Sequence, residues 1–189
     1  MTKRETIMSK IAAAFEASVK PFSAENAILE NACSGSIETS DPLPRHQPVP
    51  GVFVDFRAES GVKTIVGPAL GGSGLRLQLL ERGSSPWYSV SYSIPLAEVK
   101  DARYIGHYIN CDSAGPARFR VCLRHLLEDG FRDMFSRELV TLTGGEQEDL
   151  VFVKVDSDLL AQTRAVEVLF FFEGRSFDVT LKEVEILQV

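Results

Sequence analysis

The chain reads as an all-β protein, an antiparallel jelly-roll β-sandwich with a short helical N-terminal appendage. Two observations predict this. From Val52 onward, apolar and polar residues alternate in short runs, which is the period of a half-buried strand. Gly, Ser, Asp and Pro part those runs at the intervals of a sandwich or jelly roll. A third observation narrows the class. No helix-length period falls between successive runs, which argues against a parallel α/β sheet, and no internal repeat is visible.

Three segments follow from this texture: a helical segment over 1–32, a proline-rich linker over 33–50, and the sandwich over 51–189. In the first, Thr2-x-x-Glu5 has the form of a capping box, and Ile7, Ile11, Phe15 and Val19 recur along one helical stripe. Pro21 ends that helix, and Ser23 to Ala32 predicts a shorter one with Ser23 as its cap. An isolated helix of this length is marginal in water, so the stripe packs on its own domain or pairs with a second copy as a homo-oligomer. Pro42, Pro44, Pro48 and Pro50 then favour an extended connector that cannot join a sheet centre, with His46 as a solvated loop residue.

Strands are expected at "VFVDF" from Val52 and at "GLRLQLL" from Gly74, where Leu75, Leu77 and Leu79 share a face. "WYSVSYSIP" puts Tyr88, Val90, Tyr92 and Ile94 on the core side and Trp87 beside serines on the other. "ARYIGHYIN", "RFRVCLRH", "LVFVKV", "AVEVLFFFEG" and "SFDVTLKEVEILQV" complete the set. "GGSG" at Gly71 to Gly74 precedes a strand rather than a helix, so it is a turn and not a phosphate loop.

Composition removes several function classes. The 189 residues carry 44% hydrophobic content, enough to bury a core without disulfides or a structural metal. A formal net charge of −6 argues against a nucleic-acid partner, because that binding runs on neutralising phosphates. Cys33, Cys111 and Cys122 form no metal-ligand spacing and read as free thiols of a reducing compartment. Charges at Glu5, Lys10 and Glu16 interrupt any signal-peptide core, and no run suits a membrane span. The expectation is therefore a cytoplasmic protein without a membrane partner. There is no H-x-H among His46, His107 and His125 and no G-x-S-x-G elbow, so no enzyme activity is expected.

In order, "WYSVSYSIP" is followed by the tyrosine-rich "ARYIGHYIN" and, after a Gly-Pro turn, by the arginine-bearing "ARFRVCLRH". A loop from Glu128 follows, then the "LFFFEG" hairpin and the terminal "SFDVTLKEVEI" strand. This order, over residues 52–189, resembles the galactose-binding-like jelly roll of carbohydrate-binding modules. The resemblance implies a non-catalytic domain that holds a saccharide or glycosylated partner, in some members with a structural calcium to which Asp178 and loop carbonyls would contribute. The chain departs from that pattern in having one Trp and neither a signal peptide nor a catalytic partner in sequence. No cofactor is assigned, and the other ligands of a calcium ion are not identifiable.

If a ligand face exists, the residues expected to form it fall in two groups. Trp87, Tyr104 and Tyr108 offer flat rings for stacking, with Gly106 leaving room for a ring against the sheet. Arg118, Arg120 and Arg124 project from one side of "RFRVCLRH", neighbours about 6–7 Å apart, a spacing that suits an extended anionic ligand. They serve that purpose or pair with acids of adjacent strands on a wet face. His107 is expected buried and satisfied. Phe171, turned outward in "FFF", is expected to cover the helical segment. The alternative function is an oligomerisation or protein-interaction domain with no small-molecule ligand.

Overall fold

The computed structural model describes residues 20–34 and 37–189. In chain order its elements are β1 (Lys20–Pro21), α1 (Ser23–Cys33), β2 (His46–Val49), β3 (Val52–Phe56), β4 (Lys63–Pro68), β5 (Leu75–Glu81) and β6 (Tyr88–Ile94). Then come α2 (Leu96–Val99), β7 (Tyr104–Ser113), β8 (Ala117–Leu127), β9 (Gly130–Phe135), β10 (Val140–Leu142), β11 (Gly145–Lys154), α3 (Ser157–Leu160), β12 (Ala165–Glu173) and β13 (Phe177–Gln188).

The alternating runs form two antiparallel sheets that bury their apolar sides against each other. One sheet has the order β11-β7-β13-β5-β4, with β1 added to β13; the other is β10-β8-β12-β6-β3-β2, with β9 added to β8. Inward residues of β8 and β12 supply an aromatic centre in which Phe119 lies 5.6 Å from Phe170 and 5.0 Å from Phe172. Each such ring contributes roughly 2–3 kcal/mol through removal from water. Tyr88 and Tyr92 are buried as expected, and the Tyr88 hydroxyl meets Thr64 Oγ1 at 2.9 Å.

Helix α1 covers an exposed stretch of β13. Its Leu29, Ala32 and Cys33 join the core. The Asn26 side chain donates to the Ile186 carbonyl at 3.2 Å and accepts from the Ile186 N–H at 2.7 Å. Those are the two bonds a neighbouring strand would make, and β1 resumes the ladder at Leu187 and Gln188. Edge groups left bare here would be half-buried and unpaired, which costs more than the bonds themselves contribute.

Several local expectations change. Ser23 is the first helical residue; Phe22 holds the cap position, with no side-chain hydrogen bond to the helix. The Thr2 capping box and the Ile7–Ile11–Phe15–Val19 stripe, with the oligomer expected from it, lie outside the described residues. Within the proline-rich stretch, β2 joins the sheet at its edge, and its His46 Nε2 lies 3.0 Å from Ser40 Oγ instead of in a free loop. β4, β9 and β10 are strands where the sequence showed only connections. His107 is buried but not satisfied: both ring nitrogens lack a hydrogen-bond partner among the described residues, and the ring packs edge-on to Phe170 at 5.8 Å. Burial without a partner holds its pKa down at about 3, because the charged form has nothing to replace its water.

Candidate functional site

The outer side of the β8 sheet is built from the residues that alternate with the core. On β8 these are Arg118, Arg120, Cys122 and Arg124; on β12 they are Glu173, Phe171, Leu169 and Glu167, each directly across from its partner in that order. The rows continue onto β6, where Ser89 faces Phe171, and onto β3, where Asp55 faces Ser89. On the other flank β9 sets Asp133 across from Arg124, Phe135 across from Cys122 and Phe131 across from Leu126.

An open groove of about 720 Å³ runs over this surface. Its aromatic lining is Trp87, Phe131, Phe135, Phe171 and the largely buried Phe172, and its polar lining includes Asp55, Ser89, Arg120 and Glu173. Phe131 and Phe135 remain 50% and 47% exposed, so their rings are offered to solvent within the groove. Phe171 sits 5.6 Å from Phe135. It is therefore part of the groove surface; the helical stripe it was expected to cover lies outside the described residues.

The arginines of the strand take different roles. Arg124 donates to both carboxylate oxygens of Asp133, each at 2.8 Å, and its guanidinium carbon lies 4.1 Å from the Phe131 ring centroid. Hydrogen bonding to Asp133 holds the Arg124 pKa above its ordinary value. This fork ties β9 to β8 beside Phe131, and Arg124 positions that ring instead of meeting a ligand freely. Arg120 is exposed and makes no ion pair or hydrogen bond among the described residues. Arg118 stands across from Glu173 without forming an ion pair with it and lies outside the groove lining. Cys122, between Arg120 and Arg124 on β8, is buried, and burial pushes its thiol up to about 12, so it is no nucleophile.

The mouth by Trp87 is shaped by the connection before β6. Ser85 accepts from the Arg57 N–H at 3.0 Å and donates to the Trp87 carbonyl at 2.6 Å, which fixes the backbone that presents the indole. Arg82 donates to the carbonyls of Phe172 and Gly174, tying this connection to the turn after β12.

Tyr104 and Tyr108 belong elsewhere. They alternate with buried Ile105, His107 and Ile109 on β7, which places them on the outer side of the opposite sheet. The structure thus brings Trp87, Arg120 and Arg124 together and leaves the tyrosines on the far side of the sandwich. The room expected over Gly106 is filled by Phe152, whose ring carbon would lie 2.9 Å from an added Cβ. Asp178 is bound by Arg76 and by Gln78, the latter at 3.1 Å, so it does not fit the calcium role that the resemblance implied. Among the described residues no group of His, Cys, Asp and Glu is placed to hold a metal ion. Phe131 and Phe135 were missed in the sequence; the signal was the i, i+2, i+4 alternation Phe131-Asp133-Phe135 inside what read as a loop.

No family model matches the chain, and no curated protein sequence does. Solved structures match its fold. A CBM4 carbohydrate-binding module is similar with a TM-score of 0.60 at 14% identity, over 85% of this chain and 99% of that one. The CBM22-1 xylan-binding domain of Xyn10C from Paenibacillus barcinonensis gives a TM-score of 0.50 at 13% identity, over 82% and 96%. The C-terminal family 22 carbohydrate-binding module of Clostridium thermocellum Xyn10B gives 0.51 at 10% identity, over 82% and 95%. The chain has the jelly-roll sandwich fold of these modules.

Proposed function

We propose that this chain is a non-catalytic saccharide-binding module whose ligand lies in the groove over β8, β12, β6 and β9. The observation that carries the reading is the groove itself, where the rings of Trp87, Phe131, Phe135 and Phe171 line an open cleft of about 720 Å³ beside hydrogen-bonding side chains. Sugar rings present apolar C–H faces and a rim of hydroxyls, so flat rings flanked by Asp55, Ser89, Arg120 and Glu173 match both parts. The fold likeness supports the same reading, since a xylan-binding domain is among the similar structures. A reducing compartment belongs to the proposal and is supported by three buried free thiols.

Calorimetric titration with xylohexaose, a mixed-linked β-glucan oligosaccharide and a pectic oligosaccharide tests it, for the native protein and for Trp87→Ala and Phe135→Ala. At least one oligosaccharide should bind, and each substitution should weaken that binding about tenfold or more, the scale of a lost stacking contact in a desolvated site. No binding by the folded protein, or binding unchanged in both variants, would overturn the proposal.

A further inference from the structure

We infer that the groove selects a saccharide carrying an anionic substituent, a carboxylate or a sulfate, and that Arg120 is the residue that takes it. This rests on the saccharide-binding reading and goes further by assigning the chemical class of the ligand.

The ionised groups of the groove lining balance by number but not by position. Arg82, Arg120 and Arg124 stand against Asp55, Asp133 and Glu173. Asp133 is taken up by the bidentate pair with Arg124, so those two cancel locally. Asp55 lies in the same cross-strand row as Arg120 but three strands away, about 14 Å at ordinary strand spacing. Its carboxylate already accepts from the Arg45 N–H at 3.0 Å.

What remains is the end of the groove beside Trp87 and Phe171. Arg120 is exposed there without a hydrogen-bond or ion-pair partner among the described residues. Arg82 uses its guanidinium on two backbone carbonyls, which hold it in place without neutralising its charge. Just outside the lining, Arg118 adds a third cation two residues along β8, about 6–7 Å away. Glu173 is the single acid of the lining at this end; its charge acts on Arg82, and it stands across from Arg118 without an ion pair to either. This end is therefore net positive, even though the protein carries a formal charge of −6. A planar guanidinium with open fork donors beside an aromatic floor is suited to one acidic group on a ring that stacks.

The test uses the full chain and three oligosaccharides of equal length: xylohexaose as the neutral probe, hexagalacturonate for carboxylates, and a sulfated carrageenan hexasaccharide for sulfates. Binding is measured by calorimetry at low and at high salt. An acidic probe should bind at least tenfold tighter than xylohexaose at low salt, and the preference should shrink at high salt. In Arg120→Gln the ratio of acidic to neutral affinity should fall about tenfold, while Arg120→Lys, which keeps the charge, should retain part of it. Preference for hexagalacturonate alone identifies a carboxylate as the group, and equal preference for the sulfated probe identifies general anion capture. Xylohexaose bound as tightly as either acidic probe, or a preference that survives Arg120→Gln, would overturn the inference while leaving the groove reading intact. Absence of binding to all three would overturn both.

Discussion

Replacing His107 with Leu should remove a large part of the protein's sensitivity to mild acid. His107 lies between the sheets, fully buried, with no partner for either ring nitrogen among the described residues. Its pKa is lowered from 6.5 to about 3 by burial. Because the folded value is depressed, the unfolded chain binds the proton more readily. The neutral ring's contribution is fully present above pH 6.5 and is lost as pH falls toward 3. Between pH 7 and pH 5 the unfolded state gains about 2 kcal/mol from this proton and the folded state almost nothing. Urea unfolding of the native protein and of His107→Leu at both values isolates that difference. His125, whose pKa burial also lowers, is present in both proteins and cancels. The native protein should lose about 2 kcal/mol more than the variant across this interval. An equal loss in the two proteins would refute the reasoning, because it would mean that folded His107 is protonated as easily as in water.

Asn26→Ala should destabilise the fold by about 2 kcal/mol in urea unfolding, since it leaves the Ile186 N–H and carbonyl without their side-chain partner; an effect near zero would mean that water replaces the amide at no cost. The double substitution Tyr104→Ala and Tyr108→Ala should leave affinity for any groove-bound oligosaccharide within about twofold, because both rings lie on the opposite sheet; a tenfold loss would move the binding face there. Asp133→Asn should weaken oligosaccharide binding several-fold by releasing Arg124 from its fork and Phe131 from beneath it, with a stability loss of about 1 kcal/mol, since the pair is roughly one-fifth exposed. Unchanged binding in that variant would show that the β9 wall needs no such support.

The fold was legible where the physics is local. "RFRVCLRH" shows its two faces in the sequence because side-chain direction in a strand depends only on position along it. Phe119, Val121 and Leu123 are buried, and Arg118 and Arg120 are out in water. Trp87 beside its serines was placed by the same rule. The β9 strand was not legible, because its polarity is inverted relative to a core strand. Phe131 and Phe135 face the groove, Arg132 turns away with Met134, and no greasy face announces the strand. His107 read as an ordinary buried histidine because hydrogen-bond partners come from other strands, and nothing in its neighbours along the chain shows that none arrives.

By itself, then, the sequence determined the all-β class, the face of each long strand, and Trp87 and the arginines as residues turned from the core. Tertiary structure alone decided which faces meet. Strand pairing joins residues far apart in the chain, and the two-residue period is the same in either sheet. That is why Arg120, Trp87, Phe131 and Phe171 share a groove while Tyr104 and Tyr108, equally outward in their own strand, lie across the whole thickness of the sandwich.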